Sequence, residues 1–202
     1  MWTFEQQAWQ SGYQTIAGID EAGRGPLAGP VVSAAVILKY PCPIEGITDS
    51  KQLSEKKREI LFDAIYDHSI SIGVGIVDRD IIDSINILQA ARLSMKYSVE
   101  QLTHIPDYLL IDGIFKIDSN IDQKTIKKGD QKSISIAAAS IIAKVTRDRL
   151  MANYALKYPD YGFERHKGYG TQKHRNAIQA FGICPIHRRT FKGVKEFVKS
   201  SG

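Results

Sequence analysis

Eleven consecutive residues, Asp20-Glu21-Ala22-Gly23-Arg24-Gly25-Pro26-Leu27-Ala28-Gly29-Pro30, constrain the fold of this chain more than any other stretch. Glycine weakens and proline breaks the interior of a helix or strand, so the segment from Ala22 to Pro30 is a loop of fixed shape. Before it, residues 13–20 read as a strand ending in an acid. After it, Val31–Leu38 is apolar and rich in β-branched residues. Two strands flanking one short connection are expected to pair antiparallel. Gly23 and Gly25 leave room for a ligand to approach the backbone, and Arg24 supplies a guanidinium fork for phosphate or a flat face for stacking. A nucleotide phosphate loop is a competing reading that fails, because neither GxxxxGK[ST] nor a GxGxxG after a strand is present.

Downstream, helical and extended patterns alternate. Ser54 is the expected N-cap of a helix whose apolar face is Ile60, Leu61, Ala64 and Ile65. Residues 69–77 read as a third strand, 78–84 as a short helical turn or loop, and 87–102 as a second long helix with Leu88, Ala91, Met95 and Val99 on one side. Tyr108–Ile111 is a short buried strand closing at Asp112-Gly113, and 124–128 is a candidate strand closing at Gly129-Asp130. From Ser133 to about Tyr158 runs a third helix, apolar almost all round in its first half and therefore expected beneath a sheet. Its polar positions Ser140, Lys144, Arg147 and Asp148 share one face. The tail from Pro159 is loop-rich, with a last helix near 172–181. A hairpin followed by alternating strands and helices predicts an α/β fold with a mixed β-sheet flanked by helices.

The chain's 202 residues suffice for one domain, 1–202, and two would be tight. Charge is unevenly divided. Residues 1–120 carry 10 Lys+Arg against 16 Asp+Glu, a balance of −6, whereas residues 121–202 carry 17 against 6, a balance of +11. This suits a protein that holds cations with one region and phosphates with the other, with binding that weakens as salt rises. No apolar run is long enough for a membrane span, the first residues lack the pattern of a signal peptide, and Cys42 and Cys184 have neither metal-site nor disulfide spacing. A cytoplasmic location with no membrane partner is expected.

Four acids stand at the ends of apolar segments: Asp20, Glu21, Asp112 and Asp130. Packing that brought them to one sheet rim would require cationic compensation, because like charges raise one another's pKa. Their hard oxygen donors select Mg2+ or Mn2+. Neighbours on a strand point to opposite faces, so Asp20 and Glu21 are expected to share a site through a bend between them. Two divalent ions about 4 Å apart would support in-line hydrolysis of a phosphodiester. No Ser-His-Asp or Cys-His arrangement competes. His68, His104, His166, His174 and His187 have no metal-site spacing near the acids; His166 or His174 is a candidate proton shuttle, with exposed or phosphate-contacting roles the plainer expectation. Lys51 and His187-Arg188-Arg189 are expected phosphate contacts. Tyr169, between Gly168 and Gly170, can lie flat on a sugar or base.

Together these segments resemble the ribonuclease HII family, within the type 2 ribonuclease H class. The motifs run in order: Gly18–Val32, Asp49–Ser54, Asp112-Gly113, Gly129-Asp130 with Ile136–Val145 and Arg147–Arg149, His166–Thr171, and His187–Phe191. They span roughly 16–191. The resemblance implies a ribonuclease H-like mixed sheet with a helical C-terminal extension, here 159–202 as a substrate-binding region. It implies an endonuclease that uses Mn2+ or Mg2+ and cuts 5′ to a ribonucleotide in RNA/DNA hybrids and in DNA with embedded ribonucleotides, leaving 3′-hydroxyl and 5′-phosphate ends. Asp20, Glu21, Asp112 and Asp130 match its metal-binding catalytic acids. Gly23, Arg24 and Gly25 match its turn that senses the 2′-hydroxyl, Tyr169 its sugar-stacking tyrosine, and Lys51 with the basic tail its duplex-holding surface. The length leaves no room for the extra N-terminal domain of type 3 enzymes, and no clamp-binding peptide is evident at the C-terminus, so a monomer with no protein partner is expected. A non-catalytic nucleic-acid-binding module and a nuclease for other DNA structures are the rival readings.

Overall fold

A computed structural model describes residues 1–198; the expected absence of a clamp-binding peptide falls partly on residues outside these. The core is one five-stranded mixed sheet. In chain order its strands are β1 (Ile16–Ala22), β2 (Val31–Leu38), β3 (Ser69–Val77), β4 (Tyr108–Asp112) and β5 (Asp122–Ile126), arranged β3-β2-β1-β4-β5. β1, β2 and β3 pair antiparallel, while β4 joins β1, and β5 joins β4, in parallel. The helices are α1 (Thr3–Gln10), α2 (Glu55–Asp67), α3 (Arg79–Glu100), α4 (Ile134–Lys157), α5 (Phe163–His166) and α6 (Gln172–Phe181).

β2 is apolar except for Ser33, the mark of a strand covered on both faces, and every one of its residues is buried. Ala34, Val36 and Leu38 point to α2 and α4, and the alternate Ala35 and Ile37 point to the α3 side, as the two-residue period demands. α4 lies against β1 and β2 with all of residues 134–143 buried. Gly18 permits this approach, since a methyl there would overlap the Ser135 backbone. On the other face a methyl at Gly75 would overlap the Ser94 carbonyl oxygen of α3.

Several boundaries differ from the sequence reading. The turn expected at 78–84 is helical, and α3 begins at Arg79, capped by the Asp78 carboxylate, which accepts from the Asp80 and Ile81 amides at 3.0 and 3.1 Å. It breaks at Asn86, which has φ 67°, and whose side chain accepts from Leu88 and Gln89 at 3.0 and 3.2 Å. The expected start at Ile87 thus follows a second, internal N-cap, Asn86. β5 is Asp122–Ile126 rather than 124–128, and α1 was not expected. α2 has the anticipated cap, Ser54, and α6 is capped by Thr171, whose hydroxyl accepts from the His174 amide. Among the described residues no helix is long and apolar enough to cross a membrane.

Candidate active site

The carboxyl-terminal ends of β1 and β4 lie side by side, the last parallel pair being Ile19 with Ile111. One residue further on stand Asp20 and Asp112. Asp20, Glu21 and Asp112 each present a carboxylate oxygen, all within 4.8 Å of one another. The expected bend between Asp20 and Glu21 is absent: β1 stays in unbroken register with β2 from Gly18 to Ala22. The two neighbours meet instead because pairing to β4 has ended, and the longer Glu21 side chain reaches round the open rim. Asp130 lies outside this trio, buried in the 3-10 turn Gly129–Gln131, with Lys51 Nζ at 3.8 Å. That turn is tied to the trio through the Gly129 amide, which donates to Asp112 Oδ1 at 2.6 Å.

The electrostatics are those of crowded anions. Burial first, then the Glu21 and Asp112 carboxylates, push the Asp20 carboxyl well above the usual carboxylate range, against one stabilising bond from the Glu21 amide at 2.7 Å. Burial also raises Glu21, offset in part by Arg24 at 3.2 Å. Asp130 is raised by burial, then by Asp112 and Asp49. Burial opposes the charge on Lys51, but the surrounding Asp20, Asp49, Asp130 and Asp112 outweigh it and hold the ammonium above its ordinary value. An all-oxygen donor set with this much uncompensated negative charge fits a hard divalent cation and no thiophilic metal.

Beside the acids opens a cleft of about 250 Å³, lined by Asp20, Glu21, the Gly23–Gly25 turn, Lys51, Ser140 and Tyr169. Tyr169 is 46% exposed, and its ring edge lies 3.5 Å from where a Gly25 side chain would begin, so the ring covers the turn. Lys144 also reaches the cleft, paired with Asp148 at 2.6 Å, and burial holds its ammonium below its usual value despite that partner.

A family model for ribonuclease HII matches residues 17–194. The chain belongs to the ribonuclease HII family. It is 58% identical over 201 residues to the ribonuclease HII of Geobacter sulfurreducens, an alignment covering 100% of this chain and 93% of that one. With the ribonuclease HII of Acetivibrio thermocellus it shares 59% over 198 residues, 98% of this chain and 77% of the other. Among solved structures, the ribonuclease H2 of Pyrococcus horikoshii superposes with a TM-score of 0.76 at 28% identity, covering 91% and 97% of the two chains. The Archaeoglobus fulgidus ribonuclease HII, solved in complex with PCNA, gives 0.74 at 27%, covering 89% and 96%. The fold is thus ribonuclease H-like, and the protein is an enzyme, a ribonuclease H endonuclease acting on RNA/DNA hybrids.

Two expectations for this ribonuclease HII chain are overturned. His187 and Arg188 are fully buried and present no surface to a phosphate; only Arg189 of that triplet is exposed, with its amide donating to Asp83 Oδ2 at 2.8 Å. His174 is neither exposed nor a shuttle at the acids. It is buried, with Nδ1 2.9 Å from the Tyr169 carbonyl oxygen and Nε2 3.0 Å from His187 Nε2, and His166 is stacked on it at 4.5 Å. The Cys184 amide donates to His187 Nδ1 at 2.9 Å, so His187 carries its proton on Nε2, and His174 accepts there and donates from Nδ1 to Tyr169. Both rings are neutral, burial holding each down to about 4.

Sequence reasoning also missed what the two buried arginines do. Arg188 donates to the carbonyls of Gly23, Arg24, Pro26 and Gly29 at 2.6, 2.9, 2.8 and 3.0 Å. Arg147 of α4 donates to Pro30, Ala28 and Lys167 at 3.0, 3.2 and 2.9 Å. A basic residue beside apolar ones gives no local sign of burial. The sequence placed Arg147 on the polar face of its helix with Ser140, Lys144 and Asp148, yet it is buried.

Proposed function

We propose that this chain hydrolyses the phosphodiester 5′ to a ribonucleotide, in RNA/DNA hybrids and in DNA duplexes with embedded ribonucleotides, leaving a 3′-hydroxyl and a 5′-phosphate. The observation that carries the reading is the meeting of the Asp20, Glu21 and Asp112 carboxylate oxygens within 4.8 Å at the mouth of a cleft walled by the Gly23–Gly25 turn and Tyr169. Asp20, Glu21, Asp112 and Asp130 are the catalytic acids and would hold two divalent ions, Mn2+ or Mg2+. When bound, such ions supply an activated water and charge stabilisation at the leaving oxygen. The protein's own groups do the positioning. Lys51, 79% exposed beside Asp130, extends to a phosphate of the cut strand. The backbone of Gly23, Arg24 and Gly25 reads the 2′-hydroxyl, the one group that distinguishes RNA from DNA at a single nucleotide. Tyr169 stacks on the sugar beyond it.

The whole of 1–202 acts as one catalytic domain, with 159–202 as its substrate-binding extension. It works in the cytoplasm as a monomer, requires no protein partner for the cut, and supports ribonucleotide removal and hybrid clearance. The test is incubation with a duplex carrying one ribonucleotide and with a matched all-DNA duplex, in Mn2+ or Mg2+. Incision 5′ to the ribonucleotide, lost in chelator, is the expected result. Binding without turnover would leave a nucleic-acid-binding module, and cleavage of the all-DNA duplex would indicate a nuclease of another specificity.

A further inference from the structure

The Gly23–Gly25 turn is held by a buried guanidinium fork. Arg188 is fully buried and, among the described residues, has no carboxylate partner: its side-chain bonds there all go to backbone carbonyls between Gly23 and Gly29. In a trans peptide the carbonyl and the following amide point in opposite directions. Drawing the Gly23 and Arg24 carbonyls inward, at 2.6 and 2.9 Å, therefore turns the amides of Arg24 and Gly25 outward. Among the described residues neither amide donates to another protein atom. Both residues line the cleft, together with Gly23 and Tyr169.

The arrangement is fixed by more than this fork. Residues 27–29 and 186–188 form a short antiparallel bridge, with Arg188 N to Leu27 O and Gly29 N to Ile186 O both 2.9 Å. The neighbouring Arg147 fills the space that a side chain at Gly23 would need, and it ties Pro30 and Ala28 to the Lys167 carbonyl. Leu27 N donates to Gly168 O at 2.8 Å, which bonds the loop carrying the Gly turn directly to the Tyr169 segment.

We propose that Arg188 is a positioning residue for ribonucleotide discrimination: its fork orients the Arg24 and Gly25 amides toward the 2′-hydroxyl without itself touching substrate. This rests on the function proposed above and adds the group that sets its specificity. A lysine cannot reproduce the role, because a single ammonium cannot span carbonyls that a planar guanidinium bridges along its edges.

The test compares wild type, Arg188→Lys and Arg188→Ala on the single-ribonucleotide duplex. We expect kcat for Arg188→Lys to fall roughly a hundredfold, about what one preorganised donor is worth, with the Kd for an all-DNA duplex within about threefold of wild type. In Arg188→Ala, guanidinium at non-denaturing concentration is expected to restore at least tenfold of the lost rate, about 1.4 kcal/mol, while sodium chloride at equal ionic strength restores none. A variant that is folded and cuts at the wild-type rate overturns the proposal, as does an equal loss of cutting and of all-DNA binding, or rescue by salt alone. If neither variant folds, nitrogen-15 spectra of the wild-type protein in calcium and chelator-free buffer decide. The Arg24 and Gly25 amides and the Arg188 Nε–H should shift together with the ribonucleotide duplex and not with all-DNA; amide shifts without the Arg188 signal would overturn it. Wild-type protein that fails to incise the ribonucleotide duplex refutes the parent function, whereas wild-type cutting matched by Arg188→Lys refutes only the positioning role.

Discussion

Acidification should loosen this protein through two buried imidazoles. His174 and His187 are fully buried, and burial, aided by repulsion from His166 on His174 and from His174 on His187, holds both near 4 in the folded state. In the unfolded chain each titrates near its ordinary value of about 6.5. Between those values the unfolded chain binds more protons, so stability is complete above about pH 6.5 and is lost as pH falls toward 4. From pH 7 to pH 5 each imidazole costs roughly 2 kcal/mol and the pair about 4, a large part of the 5–15 kcal/mol typical of a domain. The raised carboxyls of Asp20, Glu21 and Asp130 act in the opposite sense, since a raised acid keeps its proton in the folded state and favours folding at low pH. Urea unfolding at pH 7 and pH 5 is therefore best read on Asp20→Asn protein, which removes one of those opposing groups. Imidazole NMR on the folded protein supplies the direct check. The His174 and His187 signals should hold their neutral tautomers, Nδ1–H and Nε2–H respectively, down to pH 5. Signals titrating near 6.5 in folded protein would refute the reasoning and, with it, the hydrogen-bond chain that anchors the Tyr169 carbonyl.

Asp20→Asn and Asp112→Asn should each keep duplex binding in a gel-shift assay yet lose at least about a thousandfold in cleavage, as expected when several kcal/mol of cation-dependent stabilisation goes; full activity in either would reject the assignment of these acids. Tyr169→Ala should slow cutting at a single embedded ribonucleotide roughly tenfold, the worth of one stacking contact, and an unchanged rate on that substrate would remove its role. Gly75→Ala, which forces a methyl into the Ser94 carbonyl, should destabilise by about 2 kcal/mol through overpacking. A drop in Tm of roughly 4–8 °C by calorimetry would agree with that, and an unchanged Tm would show that α3 can shift away from the sheet.

Much of the molecule is legible without coordinates because its signals are local. The breaks at Gly23 to Pro30, the largely apolar run of β2 and the cap at Ser54 each depend on neighbours a few residues away. The acids Asp20, Glu21 and Asp112 stand at element ends, where strand order alone brings them to one rim. What the sequence could not decide is which charged groups go inside. Arg188, Arg147, His174 and His187 read locally like any surface bases, and they are buried because carbonyls, an amide and imidazole nitrogens, up to 165 residues away along the chain, engage every side-chain nitrogen they bring. Nor could it decide how Asp20 and Glu21 share a site, which depends on where β4 stops pairing with β1. Burial of a polar group is settled by the sum of its partners in space, and that sum exists only once the sheet, α4 and the C-terminal segment have closed on one another.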